Sequence, residues 1–121
     1  MKTYLPEAQN GVHYLTPPKT AFEEVYIRLR TKEQRVHDDA FVKQLPIVSS
    51  AHPHANEWMV RQKTQERFCG FLASKNRPSI LDIGCGNGWF TSKMAPFASE
   101  ILGIDVGTEE LEQAARCFGT E

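Results

Sequence analysis

Three glycines at alternate positions, Gly84, Gly86 and Gly88, follow directly on a short apolar run from Ser79 to Ile83, and no other stretch constrains the fold so tightly. Glycine takes positive φ angles without steric cost and lets another group lie against bare backbone. A turn that merely reversed direction would not need three of them. The apolar run before the turn and the helical pattern after it, from Gly88 to about Pro96, read as strand, tight loop, helix. A second short run, Ile101, Leu102 and Ile104, lies within Glu100 to Asp105. Thr108 then caps a helix carrying Leu111, Ala114, Ala115 and Phe118, which Gly119 stops. This order predicts a parallel strand pair with a right-handed crossover. The helix that opens after the glycines is expected to offer free amide donors to a carboxylate or phosphate.

The spacing of the glycines narrows the ligand. A dinucleotide fingerprint needs G-x-G-x-x-G, and counted from Gly84 its third glycine would fall on Trp89, whose indole obstructs close helix packing. A phosphate-binding P-loop needs Gly-Lys-Ser/Thr at its end, which this turn lacks. An NAD-dependent oxidoreductase is therefore the weaker enzymatic reading.

The run Ile80-Leu-Asp-Ile-Gly-Cys-Gly-Asn-Gly88 resembles the first motif of class I S-adenosylmethionine-dependent methyltransferases, an acidic residue followed by G-x-G-x-G. Gly103-Ile104-Asp105-Val106 adds a second, independent likeness, a carboxylate at the end of the second strand. The resemblance implies a role for each position. Gly84, Cys85 and Gly86 would pass their backbone under the methionine part of S-adenosylmethionine, with Gly88 completing the turn. Asp82 would orient the loop and the cofactor's amino group, Asp105 would hold both ribose hydroxyls, and Val106 would lie beside the adenine. The likeness is sharp from about Ser79 to Phe118. A looser one, carried by Glu57-Trp58 and Arg61, points to bacterial methyltransferases acting on small molecules or polysaccharides.

Upstream the chain reads as helices. Residues 1–19, with Pro6, Gly11, Pro17 and Pro18, form an extended arm. Thr20 and Glu23 make a capping box, after which Phe22, Val25, Tyr26 and Leu29 recur as the apolar stripe of a helix of about 12 residues. Arg28, Arg30, Lys32 and Arg35, interleaved with Glu23, Glu24 and Glu33, read as a solvated face. Asp38 or Asp39 caps a short helix that Pro46 ends. His52-Pro53-His54 has no nearby carboxylate or thiol and makes a poor metal site. Asn56 is expected to cap a long helix to about Lys75, whose second half buries Phe68, Cys69 and Leu72. Its first half presents Trp58, Arg61 and Gln65, read as an end overhanging the core or as a ligand-facing stripe. The chain thus divides into an arm (1–19), a helical region (20–75) and the start of a Rossmann-like unit (76–121).

Composition excludes several classes. A net charge of -1 gives no global attraction to nucleic acid or anionic membranes. The three cysteines, Cys69, Cys85 and Cys117, are unpaired in spacing, and Met1 to Asn10 lacks the apolar core of a signal peptide, so a cytoplasmic chain is expected. The fold class expected is α/β, with N-terminal helices followed by the first β-α-β-α unit of a Rossmann-like methyltransferase sheet, incomplete at 121 residues. No catalytic residue is identified. Two strands apolar on both faces need cover, which predicts either an N-terminal fragment of a longer enzyme or a homodimer paired along the exposed sheet edges. The acceptor would be a small molecule, a saccharide or a lipid. The reading from outside enzymology is an interaction module, against which the retained glycines and Asp105 argue.

Overall fold

The computed structural model describes residues 5–119, so the first four residues of the expected arm and the last two of the C-terminal stretch lie outside the described residues. Eight elements follow in order: helices α1 (Ala21–Lys32), α2 (Asp39–Gln44) and α3 (Ala55–Ala73), strand β1 (Ser79–Ile83), helix α4 (Trp89–Met94), a 3-10 turn (Ala95–Phe97), strand β2 (Glu100–Ile104) and helix α5 (Thr108–Phe118). The α/β order is the expected one, and the two strands are parallel with Leu81 opposite Leu102 and Asp82 opposite Gly103.

Because side chains alternate across a strand, this register puts Leu81, Ile83, Leu102 and Ile104 on one sheet face. That face is bare: Leu81 is 54% and Ile83 75% exposed. The opposite face lies against α4, where Asp82 accepts a hydrogen bond from the Thr91 hydroxyl at 2.6 Å. Helix α3 packs on α4 in turn, through the Cys69 thiol to the Lys93 carbonyl at 3.5 Å and Phe68 edge-on to Phe90. Arg77 ties the entry of β1 to the turn before β2, donating to the Pro96 and Ala98 carbonyls at 3.1 and 2.8 Å.

The tightest core sits off the sheet. Val42, Leu45 and Trp58 are buried together, with Phe41, Val48, Trp89, Cys117 and Phe118 around them. Trp58 is therefore not on an overhanging helix end; it anchors the start of α3 in the core. Helix α3 also begins one residue before the expected cap, with His54 at the N-cap position and no side-chain cap, so Asn56 lies inside the helix. Phe68, expected among the buried residues, is 40% exposed, while Cys69 and Leu72 are buried as expected.

Helix α1 begins as expected, with Thr20 accepting from the Glu23 amide. Its orientation is the reverse of the expected one. Phe22, Val25 and Leu29 point outward at 71%, 52% and 54% exposure, and Glu23 is buried. The cause is a polar anchor. Glu23 accepts hydrogen bonds from the Thr108 hydroxyl, from the Glu109 amide at 3.0 Å and from the Lys19 amide at 3.1 Å. It thereby caps α5 from another element, where Gly107 in the N-cap position has no side chain to do so. Thr108, expected to be the cap, is instead the first residue of α5. Burial alone would raise the Glu23 pKa, but these donors outweigh it and hold the carboxyl below its ordinary range.

The described part of the arm packs on α5. Gln9 and Val12 exchange backbone hydrogen bonds around Gly11, Val12 is buried, and the Tyr14 hydroxyl donates to Glu112. Helix α2 is capped by Asp38, which accepts from the Phe41 amide at 2.8 Å, and joins α5 through Asp39, bridged by Arg116 and Gln113.

Candidate functional site

The glycine turn leaves β1 at its carboxyl end, where the ends of parallel strands bind ligands in open α/β sheets. Gly84, Gly86 and Gly88 all take positive φ, at 79°, 55° and 80°. At Gly84 an added Cβ would meet nothing within 4 Å, so the space over that residue is open, whereas at Gly88 it would come within 2.9 Å of the Ala114 side chain. The first glycine thus bares backbone and the third lets α4 and α5 approach.

The turn's amides are engaged within the protein. Gly84 and Cys85 both donate to the Ile104 carbonyl, at 2.8 and 3.0 Å, and Gly88 donates to the Cys85 carbonyl at 3.0 Å. Gly86 donates to Asp105 Oδ2 at 2.8 Å, and Asn87 Oδ1 accepts from the first amide of α4 at 3.1 Å. The expectation of free donors for an anion is therefore corrected for these groups: the strand end, Asp105 and Asn87 absorb them. What the turn turns toward a ligand is bare Cα and peptide plane.

Asp105 links the two strand ends, its second oxygen accepting from the Gly107 amide at 2.8 Å. Next to it stands a residue that the sequence reading passed over. Glu110 of α5 lies so close to the turn that a Cβ on Gly86 would come within 2.7 Å of its Oε2. Burial, and then the Asp105 charge, push its carboxyl above the usual range, partly offset by Arg30. Cys85 is pushed up to about 12 by burial first and by Asp105 and Asp82 next, so its thiol stays neutral at ordinary pH.

Turn, Asp105 and the helical region enclose one cavity of about 610 Å³. Of the expected site residues, Gly84, Cys85, Gly86 and Asp105 line it, while Asp82, Gly88 and Val106 do not. Asp82 points to Thr91 beneath the turn, Gly88 is buried between helices, and Val106 is 81% exposed. The far wall is made by residues the glycine motif does not announce. They include Tyr26 and Arg30 of α1, His54 at the N-cap of α3, Trp58 and Arg61 within α3, and Trp89. His54, Trp58 and Arg61 share a face at helical spacing, which is the signal that identifies them. Trp58 meets Trp89 edge-on at 5.2 Å, and the Arg61 guanidinium lies 4.6 Å from the Trp58 ring. Arg30 and Arg35, expected on a solvated face, are half-buried here; Arg28 and Lys32 are exposed. His52 and His54 are held by local contacts, the His54 amide donating to His52 Nδ1 at 3.0 Å and the His54 ring meeting the Glu33 carbonyl at 2.8 Å.

Comparison with known proteins bears on this arrangement. A family model described as a methyltransferase domain matches residues 81–121. The chain is 42% identical over 50 residues to a ubiquinone biosynthesis O-methyltransferase of Proteus mirabilis, covering 41% of this chain and 19% of the relative. A protein of the same name from Psychrobacter cryohalolentis is 43% identical over 54 residues, covering 45% of this chain and 19% of the relative. The chain thus spans about a fifth of the length of these curated relatives. No solved structure matches it. Among the described residues no helix is long and apolar enough to cross a membrane. With the parallel strand pair, the glycine turn and the strand-end carboxylate in place, residues 81–121 are similar to the methyltransferase domain, a family that in general uses S-adenosylmethionine.

Proposed function

We propose that this chain holds S-adenosylmethionine against its glycine turn and that the protein transfers the cofactor's methyl group to a small-molecule acceptor. The observation that carries this reading is the left-handed glycine turn, braced by Asp105, facing a 610 Å³ cavity. The residues suit that cofactor. S-adenosylmethionine bears a sulfonium and an ammonium, and the cavity wall beside the turn is acidic, with Asp105, Glu109, Glu110 and Glu112. A dinucleotide would bring a pyrophosphate to that same wall, against amides already engaged.

In this reading Gly84, Cys85 and Gly86 lie beneath the methionine part of the cofactor, where the open space over Gly84 admits it. Each oxygen of Asp105 accepts one amide hydrogen and keeps a lone pair for a ribose hydroxyl. Asp82 acts one step removed, fixing α4 under the turn through Thr91. Gly88 sets the helix spacing, and Val106 meets the adenine at the cavity's edge. The unit that begins at residue 76 holds the cofactor, residues 20–75 cover it, and the described part of the arm, residues 5–19, straps α5. The bound cofactor supplies a methyl group on sulfonium, already a good leaving group; the chain aligns it and excludes water. The acceptor class extends to saccharides and lipids. A second copy of the chain pairs along the exposed sheet edge.

Calorimetry with S-adenosylhomocysteine tests the reading. Because a hydrogen bond to a charged group contributes roughly 1.5–3 kcal/mol, Asp105→Asn is expected to weaken binding about tenfold or more. Equal affinity in the two proteins would remove Asp105 from the site.

A further inference from the structure

Two carboxylates meet at the glycine turn, and the fold engages only one of them. Asp105 places each oxygen on a backbone amide, of Gly86 and of Gly107. The Glu110 carboxylate accepts no hydrogen bond among the described residues; what acts on it is burial and the charges of Asp105 and Arg30. It is half-buried in the first turn of α5 and lines the cavity, and a Cβ on Gly86 would come within 2.7 Å of its Oε2. We infer that Glu110 is a specificity-determining residue of the cofactor site: its carboxylate faces the sulfonium and so favours the methylated, cationic cofactor over the product with its neutral sulfur. The inference rests on the cofactor reading for the ligand, and on the position of Glu110 for the charge.

The position follows from the two parts of the ligand. In the cofactor reading the methionine part lies along Gly84, Cys85 and Gly86 and the ribose lies at Asp105; the sulfur is the atom that joins them. Glu110 reaches the turn at Gly86 and packs beside the Asp105 loop, its Cβ 3.8 Å from where a Cβ on Gly107 would stand. Its carboxylate therefore stands at that junction. A carboxylate in this place is partly desolvated and repelled by Asp105, and a cation beside it relieves both. The other ionisable groups facing it are Cys85 of the turn, whose thiol is neutral, and Arg30 of α1, which offsets the charge only in part. Loss of the methyl group leaves the sulfur neutral and Glu110 again without a counter-charge. The same residue that draws the cofactor in thus helps to release the product.

Calorimetric titration of the full chain with S-adenosylmethionine, S-adenosylhomocysteine and the uncharged 5′-methylthioadenosine tests this. The parent is expected to bind S-adenosylmethionine more tightly than S-adenosylhomocysteine. In Glu110→Gln that preference is expected to fall about tenfold, the effect of one opposite charge close by, with 5′-methylthioadenosine affinity unchanged. Glu110→Asp, which keeps the charge on a shorter stem, retains part of the preference. A readout on the parent needs no variant. The Glu110 carboxyl is held above its ordinary range and a cation lowers it, so the preference is present above the raised value and is lost as pH falls through it. In Glu110→Gln it stays flat, and any contribution from His37 and His54 on the far wall is common to both proteins. Equal weakening of S-adenosylmethionine and S-adenosylhomocysteine would place the carboxylate at the ammonium, and weakening of 5′-methylthioadenosine would place it at the nucleoside; either overturns the inference. An unchanged preference in a variant that binds all three ligands overturns it as well and leaves the cofactor reading intact. Failure of the parent to bind any of the three removes both.

Discussion

Gly84 and Gly88 share a positive φ, yet a methyl group added at each meets a different fate. At Gly84 it enters open space beside the cavity, so Gly84→Ala pays backbone strain of roughly 1–2 kcal/mol and intrudes on the space proposed for the cofactor. At Gly88 the same strain is joined by overlap with Ala114, which pushes α4 from α5. Denaturant unfolding is expected to rank Gly88→Ala as the less stable of the two, while S-adenosylhomocysteine affinity falls even in folded Gly84→Ala; the opposite ranking would contradict these roles. Both glycines were legible in the sequence because their spacing is local. Glu23 was legible only as half of a capping box, since the residue it also caps lies 86 positions away. Glu23→Gln, keeping shape but losing charge, is expected to cost about 1–3 kcal/mol, read from urea midpoints. Because the Glu23 carboxyl is held below its ordinary range, its contribution is present above the unfolded carboxylate pKa and is lost as pH falls through the lowered value.

Among the elements, α5 is where the N-terminal half is fastened, by Glu23 at its start, Tyr14 and the arm along it, and Asp39 toward its end. The Arg116 guanidinium, then Gln113, hold the Asp39 carboxyl at about 2 against an ordinary 3.8. The α2–α5 contact therefore favours the folded state above the unfolded value and is lost as pH falls from 3.8 toward 2. Acid titration of thermal stability is expected to show a shallower loss across that window in Asp39→Asn than in the parent; identical slopes would leave the contact without effect. Strands, glycine turn and α5 followed from period and punctuation. The facing of α1 did not, because apolar period names a stripe without saying what covers it, and the buried Glu23 anchor turns Phe22, Val25 and Leu29 outward. Trp58 read as ambiguous for the same reason: its partners Val42, Leu45 and Trp89 are distant in sequence.

At the scale of the molecule, the chain carries a cavity with an acidic wall at the glycine turn and a basic wall on the helices, beside a sheet face that leaves Leu81 and Ile83 bare. A second copy paired along the sheet edge predicts a dimer by sedimentation equilibrium; a parent that is monomeric at the highest concentrations would contradict the pairing. The cavity was only half legible. The glycine motif announces the wall made by β1, β2 and α5, whereas Arg30, Arg61 and Trp58 reach the other wall through tertiary packing. The central claim, that the turn holds S-adenosylmethionine, is tested most directly by amide-resolved NMR of the 15N-labelled chain, titrated with S-adenosylhomocysteine and then, in a separate sample, with NAD. Shifts at Gly84, Gly86 and Asp105 with the first ligand and none with the second are the result predicted. A well-dispersed spectrum indifferent to S-adenosylhomocysteine, or one that responds to NAD at those amides, would contradict it.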